Sequence, residues 1–384
     1  MRPARAHRIA VDVSREAAPL VGVAQRVAYL DNLKVLLVAG VIFGHGWAGY
    51  DQLGGWTYTD VREVSIAPGT ETVLEVLLGP FGLFAMGFFF LMAGLLTPGS
   101  VSRKGPGRFA RDRLVRLGIP LVVFTFVLWP PWVALMDRAT GRPARYVPDT
   151  AHLWFLEVLL IFSLGYAAWR RPRPEPLPGN RSALTLRRLL VLAVVVAVAS
   201  FLVRVRFPLD STQWGDLHLW QWPQFLALFG LGLLGRRPGW LDPVSDRLRR
   251  ACGYAALLSV LAIAGFAGVV ALAGVPAQDF LGGWHWASAG TAGAEGLLAV
   301  MVSVWLLGLA QQRLVRPFGS GGPARSAYAA FIVQGYVLVG LALLIRPVPV
   351  PAEVKGLVVS VFGLLGSYAL GWLLATRTAL GRLL

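Results

Sequence analysis

The sequence predicts an all-α membrane protein, a polytopic bundle of about ten transmembrane helices. Hydrophobic residues make up 56% of its 384 residues, charged residues only 15%, and the mean hydropathy is +0.61. A soluble domain has roughly 45–50% apolar residues. The apolar residues also fall into runs near the ~20 residues that a helix needs to cross a bilayer. The connections between these runs are short and basic.

Ten apolar runs follow one another along the chain. We predict spans at 30–50, 73–96, 114–135, 152–169, 186–203, 219–235, 252–275, 286–310, 324–345 and 354–375. Pro80 interrupts the second run, which leaves open an amphipathic outer segment followed by a shorter span. We expect a basic N-terminal tail at 1–28, a transmembrane domain at 29–377 and a short C-terminus at 378–384. No sizeable soluble domain is expected, so the chemistry should lie in the bundle or at its faces.

The basic residues predict how the spans are oriented. With a cytoplasmic N-terminus, the inner segments hold 27 of the 36 lysines and arginines, the outer connections hold eight, and Lys34 lies within the first span. By the positive-inside rule, both termini are expected in the cytoplasm. The polar N-terminal segment lacks an apolar core followed by a cleavage site, so we expect a retained tail. The predicted location is the cell membrane (inner or plasma membrane), as a multi-pass protein.

Composition also argues against several classes of partner. The net charge is +16, but the basic residues form no continuous amphipathic stripe, so we expect no nucleic-acid partner. Cys252 is the single cysteine, which excludes an internal disulfide. No cluster of Cys, His and Asp has metal-ligand spacing, so no metal site is expected.

Lys34 and His45 are the ionisable residues of the first span beyond Leu33. Because charge is costly in hydrocarbon, such residues usually face a bundle interior and mark function. Eleven residues of helix place the two side chains on one face, about 16 Å apart along the axis. Alternatively, Lys34 extends to the inner interface and His45 is a packing residue.

Glu157 in the fourth span is predicted at the same depth as His45, near the outer surface. A carboxylate can orient an imidazole and raise its basicity, so we predict a Glu157–His45 pair. The alternative is that Glu157 pairs with an arginine for packing alone. Glu295 and Gln334 are further buried polar residues that either line the same cavity or bridge helices.

An arginine cluster opens the third span from the cytoplasm. Arg113 and Arg116 are expected on neighbouring turns of one helix face, next to Arg108 and Arg111. Arginine suits phosphate binding because of its planar donor fork. The positive-inside rule alone also explains a basic inner loop.

Ten of the 14 tryptophans map to the outer side. An aromatic belt would populate both interfaces, so the excess favours an outer vestibule whose flat rings stack on sugars. Trp47, Trp154 and Trp286 are its candidate substrate-binding residues. The alternative is a thicker outer belt, and His152, His218 and His285 at this rim fit ordinary interfacial histidines.

Five segments of the chain, taken together, resemble the membrane-bound acyltransferase 3 family, particularly members like glucan biosynthesis protein C. The matching segments are 29–34 with His45, and then 87–94, 113–120, 153–160 and 326–334. The family pattern in the first helix is an arginine, ten residues and a histidine. Here Lys34 replaces the arginine, which keeps the charge but loses the bidentate fork. Family members often have histidine where this chain has Gln334, so Gln334 is assigned no acid or base role.

The resemblance implies transfer of an acetyl or succinyl group from cytoplasmic acyl-CoA, most simply acetyl-CoA, to a hydroxyl of a glycan or glycolipid at the outer face. His45 would remove the hydroxyl proton and Glu157 would orient His45. Lys34, Arg113 and Arg116 would neutralise the donor phosphates. Membrane lipid is a further expected partner, and a homo-oligomer is allowed.

Two other classes of function compete with this interpretation. In a proton-coupled secondary transporter, His45, Glu157 and Glu295 would form a pathway, but such proteins often contain internal repeats and paired broken helices. We find no convincing internal repeat. A non-catalytic partner of a polysaccharide-assembly machine would give His45 and Lys34 no purpose.

Overall fold

The computed structural model describes residues 17–52, 56–170, 183–209, 211, 213–237, 239–276, 278–319 and 321–382. Ten helices of 14 residues or more account for most of this part of the chain, which contains no strand. The helices are α1 (Ala17–Ala48), α2 (Pro68–Lys104), α3 (Pro106–Ala139), α4 (Trp154–Arg170), α5 (Leu186–Arg206), α6 (Trp222–Gly235), α7 (Asp246–Ala273), α8 (Trp286–Arg313), α9 (Gly322–Ile345) and α10 (Ala352–Arg377). The predicted all-α class is confirmed.

Nine of the helices in the described residues are long and apolar enough to cross a membrane. The exception is α6, which corresponds to the predicted span 219–235. It has 14 residues and follows a 3₁₀ turn at Leu219–Gln221. At 1.5 Å per residue it rises only ~21 Å, less than the ~30 Å of a hydrocarbon core.

The helix α2 continues through Pro80 without a break and runs for 37 residues. The division into an outer amphipathic segment and a shorter span, which the sequence left open, is therefore not formed as two separate helices. Proline removes one backbone hydrogen bond, but neighbouring helices can hold such a helix together in a membrane bundle. Gly94 of α2 and Gly232 of α6 provide such contact, since a Cβ on either would lie 2.3 Å from the other helix's backbone.

The helix α3 contains two π-helical turns, at Leu114–Gly118 and Phe124–Leu128. Each turn forms i→i+5 hydrogen bonds and so changes the direction of the side chains that follow it. Arg113 directly precedes the first π turn, and Arg116 lies within it. The sequence expectation that these two arginines share one face assumed a regular α-helix, and it stays a prediction.

The bundle has two hydrophobic cores. The first is built mainly by α1, α3, α4, α9 and α10, and the second mainly by α2, α5, α6, α7 and α8. The helices α1 and α10 are antiparallel, because Tyr368 donates to the Val35 carbonyl at 2.7 Å and Ser360 to the Phe43 carbonyl at 2.9 Å. The beginning of α1 and the end of α10 thus lie on one face of the bundle, which we call the start face. The end of α1 and the beginning of α10 lie on the opposite face, which we call the cap face.

The predicted terminal segments are only partly described. Residues 1–16 of the predicted tail 1–28 lie outside the described residues, and α1 already begins at Ala17. Residues 383 and 384 of the predicted C-terminus are likewise outside. Which face of the bundle is cytoplasmic stays a prediction from the basic residues.

Candidate active site

His45 is held by Gln334, which reaches it from α9. His45 Nδ1 lies 3.0 Å from Gln334 Oε1, and Gln334 Nε2 donates to the Phe331 carbonyl at 3.1 Å. The second bond fixes which way the amide faces, and an amide oxygen only accepts hydrogen bonds. His45 therefore carries a proton on Nδ1, and in the neutral ring the lone pair is on Nε2. The imidazole is half-buried and is arranged as a base.

An aromatic stack lies beside His45 on the cap face. The Trp56 ring is stacked on the imidazole at 4.2 Å between centroids, with 20° between the planes. The Trp56 ring also lies 5.9 Å from the His152 ring, with 48° between the planes. His152 is 5% exposed and its Nε2 donates to the Ile332 carbonyl at 3.1 Å. His152 is thus a buried neighbour of the site rather than an ordinary interfacial histidine.

The predicted Glu157–His45 pair is not formed. His45 Nδ1 is bonded to Gln334, and Glu157 Oε2 is buried without a hydrogen-bond partner among the described residues. Glu157 faces the connection before α6, where a Cβ on Gly215 would lie 3.0 Å from its Oε1. Matched depth is not enough to bring two groups together, because the helix face on which each lies also has to match. His152 occupies the face of the α4 segment that points toward His45.

Lys34 lies near the start face and remains accessible. Its Nζ pairs with Asp31 at 3.2 Å, and the two side chains are 37% and 41% exposed. Next to it, the buried Asn32 amide bonds to the carbonyls of Leu314 and Arg316 and to the amide N–H of Phe318. These bonds fix the first turns of the membrane-spanning part of α1, Ala28–Ala48, to the α8–α9 connection. Lys34 thus projects from an anchored segment, with an exposed ion pair that contributes at most ~1 kcal/mol to stability.

A basic pocket of about 510 Å³ opens at the α2–α3 junction, on the start face. Its lining residues are Arg103, Lys104, Arg108, Arg111, Asp112, Val115 and Arg116. Lys104 is paired with Asp112, so the remaining four arginines leave the pocket strongly positive. Arg113 is absent from the lining because its guanidinium lies over the Phe109 ring, 5.0 Å from the centroid.

The three tryptophans predicted to bind substrate have different surroundings. Trp47 packs on α10, where a Cβ on Gly356 would lie 2.7 Å from its ring. Trp154 is stacked on His218 at 4.0 Å. Trp286 is 54% exposed at the first turn of α8. Their role in substrate binding stays a prediction.

Glu295 belongs to a second, separate polar group. It is fully buried and paired with Arg204 of α5, and it accepts from Gln224 of α6 at 3.2 Å. Of the two alternatives left open by the sequence, Glu295 bridges helices, whereas Gln334 belongs to the His45 site.

Comparison with known families decides what class of protein carries this site. The model of the acyltransferase 3 family, described as an acyltransferase domain, matches residues 27–376. The chain belongs to this family. Comparison with curated proteins gave no match, and comparison with solved structures gave none.

In this membrane acyltransferase, the residues around His45 come from distant parts of the chain. Sequence reasoning found His45 but missed the positioning role of Gln334 and the contact with Trp56. A signal for Gln334 was present, because it falls in a segment that resembles the family. No signal marked Trp56, which lies in a connection without periodicity.

Proposed function

We propose that this membrane acyltransferase moves an acetyl or succinyl group from cytoplasmic acyl-CoA to a hydroxyl of an extracytoplasmic glycan or glycolipid, in the cell membrane. The observation that carries the proposal is the hydrogen bond from His45 Nδ1 to Gln334, which in the neutral ring puts the lone pair on Nε2. A histidine in this state can take a hydroxyl proton, the step that O-acylation requires.

The arrangement of charge supports acyl-CoA as the donor. The pocket lined by Arg108, Arg111 and Arg116 opens on the start face, where Lys34 is also exposed. Arginine forks suit phosphate oxygens, and the donor carries several phosphates. In this proposal Arg116 and Lys34 neutralise the donor, and Arg113 acts only indirectly, through its packing on Phe109.

The proposed reaction balances without a metal or redox partner. His45 Nε2 takes the proton of the acceptor hydroxyl while the hydroxyl oxygen attacks the thioester carbonyl. The carbon–sulfur bond then breaks, and the protonated imidazole returns the proton to the leaving thiolate. Gln334 stabilises the imidazole throughout by accepting from Nδ1–H.

The test uses proteoliposomes with acetyl-CoA inside and the glycans and lipids of the cell envelope outside. Loss of the base is expected to lower transfer about 10²–10⁴-fold in His45→Ala. His285→Ala is the matched control, because His285 is exposed outside the site. Full acyl transfer by the His45→Ala protein would overturn the proposed role of His45.

The transporter alternative receives no support from the contacts of its three residues. His45 binds Gln334, Glu157 faces the connection before α6, and Glu295 pairs with Arg204. A pathway would need these groups to be linked, and none of the contacts given for them joins one to another.

A further inference from the structure

The connection between α1 and α2 is bound firmly to the bundle by its second half, residues 56–67, which we call the cap segment. Tyr58, Val61 and Ile66 are each at most 4% exposed. The Thr59 hydroxyl donates to the Ala48 carbonyl at 2.9 Å, and the Ile66 N–H donates to the Tyr50 carbonyl at 3.0 Å. These bonds attach both ends of the cap segment to the end of α1, close to His45.

Glu63 fixes the cap segment to the α9–α10 connection. One of its carboxylate oxygens accepts from Lys355 Nζ at 2.5 Å. The other accepts from the Tyr58 hydroxyl at 2.7 Å and lies 3.4 Å from Arg346. Lys355 is only 2% exposed. A buried ammonium that loses its partner is strongly destabilised, so this group of four side chains holds one arrangement.

Trp56 is the part of the cap segment that meets the candidate base. It is 7% exposed and covers one face of the His45 ring, while Gln334 occupies the Nδ1 edge. One face of the Trp56 ring is stacked on His45, and the His152 ring lies 5.9 Å from it in a tilted arrangement. Trp56 is therefore not an open platform for a sugar, and its contacts are suited to holding and covering the imidazole.

We propose that the cap segment is fixed over His45 and limits the access of water to its imidazole, a role that we call the shield. In it Trp56 is the positioning residue, and Glu63, held by Lys355, keeps Trp56 in place. The arrangement of the shield is inferred from the contacts alone, without reference to any reaction. Its effect on the reaction with acyl-CoA rests on the proposed function. Acyl-CoA can also react with water, in which case the same base yields the free acid and the free thiol. Covering one face of the imidazole keeps water away and directs reactants to Nε2.

The first experiment measures access to His45 without any donor. Diethylpyrocarbonate acylates neutral imidazoles, and peptide mass spectrometry gives the rate at each histidine. We expect Trp56→Ala to accelerate modification at His45 about tenfold and Glu63→Gln to accelerate it several-fold. The rate at the exposed His285 is the internal reference, and Trp284→Ala, which removes a tryptophan that is 73% exposed, is the matched control.

The second experiment measures thiol release from acetyl-CoA with no acceptor present. We expect release to rise about tenfold in Trp56→Ala and to disappear in the His45→Ala, Trp56→Ala double variant. Trp56→Phe is expected to stay near the starting rate, and Asp246→Asn, which removes an exposed ion pair elsewhere, serves as the control for Glu63→Gln.

The two readouts separate the shield from the proposed function. An unchanged modification rate at His45 in folded Trp56→Ala and Glu63→Gln would overturn the shield, whatever the enzyme does. Faster modification without any rise in thiol release would support the shield and count against acyl-CoA as donor. Glu63→Gln and Lys355→Met weaken the contact that holds the cap segment but leave the Trp56 side chain in place. Either variant can therefore replace Trp56→Ala if that variant fails to fold.

Discussion

At the scale of single residues, a neutral amide does the work for which a carboxylate was expected. Gln334 orients His45 through its amide oxygen and brings no charge of its own to the site, whereas a carboxylate partner would favour the protonated ring more strongly. An uncharged base is less costly to keep in a membrane bundle than an ion pair. A glutamine partner thus suits a histidine that is kept inside the membrane bundle between reactions.

Gln334→Leu is expected to lower kcat about 10- to 100-fold, because the buried Nδ1–H loses its acceptor at a cost of about 1–3 kcal/mol. The KM for acetyl-CoA should stay the same. The matched control is Gln224→Leu, which removes a glutamine equally buried in the second core and should reduce stability without this effect on kcat. Equal kcat for the Gln334→Leu and wild-type proteins would contradict the assigned role.

Lys34 provides the second test at this scale. Lys34→Arg should retain or improve the KM for acetyl-CoA, since it restores a phosphate-binding fork. Lys34→Met should raise that KM several-fold while the unfolding temperature stays constant, because the Asp31 pair is exposed. Steady-state kinetics gives the KM for acetyl-CoA of each variant, with Asp31→Asn as the control. An unchanged KM in Lys34→Met would leave Lys34 with only an interfacial role.

At the scale of elements, the cap segment depends on the charge of one carboxylate. Burial alone would raise the pKa of Glu63, but the hydrogen bonds from Lys355 and Tyr58 outweigh it and lower the pKa below its usual value of 4.5. The folded carboxyl is therefore harder to protonate than the unfolded one. Its contribution to stability is fully present above pH 4.5 and is lost as the pH falls through the folded value.

This linkage predicts how thermal unfolding depends on pH. The difference in unfolding temperature between wild type and Glu63→Gln should be largest near pH 7 and should shrink as the pH falls below 4.5 and the Glu63 carboxyl becomes protonated. Glu353→Gln serves as a comparison on the same face. A difference that is constant from pH 7 to pH 3 would show that the charge of Glu63 contributes nothing.

At the scale of the whole molecule, the chain's single cysteine makes the predicted orientation easy to test. Cys252 is fully buried, so a cysteine introduced in a Cys252→Ser background reports on its own position. In right-side-out cells, Tyr146→Cys on the cap face should react with an impermeant maleimide, and Arg108→Cys on the start face should react only after permeabilisation. The reverse pattern would place both termini outside.

The number and order of the helices could largely be predicted from the sequence, because each depends on a hydrophobic run and its flanking basic residues, which are close together in the chain. The direction of the first helix across the membrane stays a prediction from the basic residues, whereas the helix order belongs to this class of local features. The partner of His45 does not, since it depends on which faces of α1 and α9 meet. The π turns in α3 were likewise invisible, as their hydrogen bonds leave no mark in the pattern of apolar residues. The position of Trp56 likewise depends on contacts between distant parts of the chain, such as that of Glu63 with Lys355, which are nearly 300 positions apart.

The contact between α1 and the last two helices also has a consequence for how the protein is made. The base arrives with the first span, but its partner Gln334 and the residues that hold α1, Ser360 and Tyr368, are synthesised last. A chain that is cut short before α9 therefore has a histidine without an orienting amide. Under the proposed function, full activity is therefore expected only in chains that extend through α9 and α10.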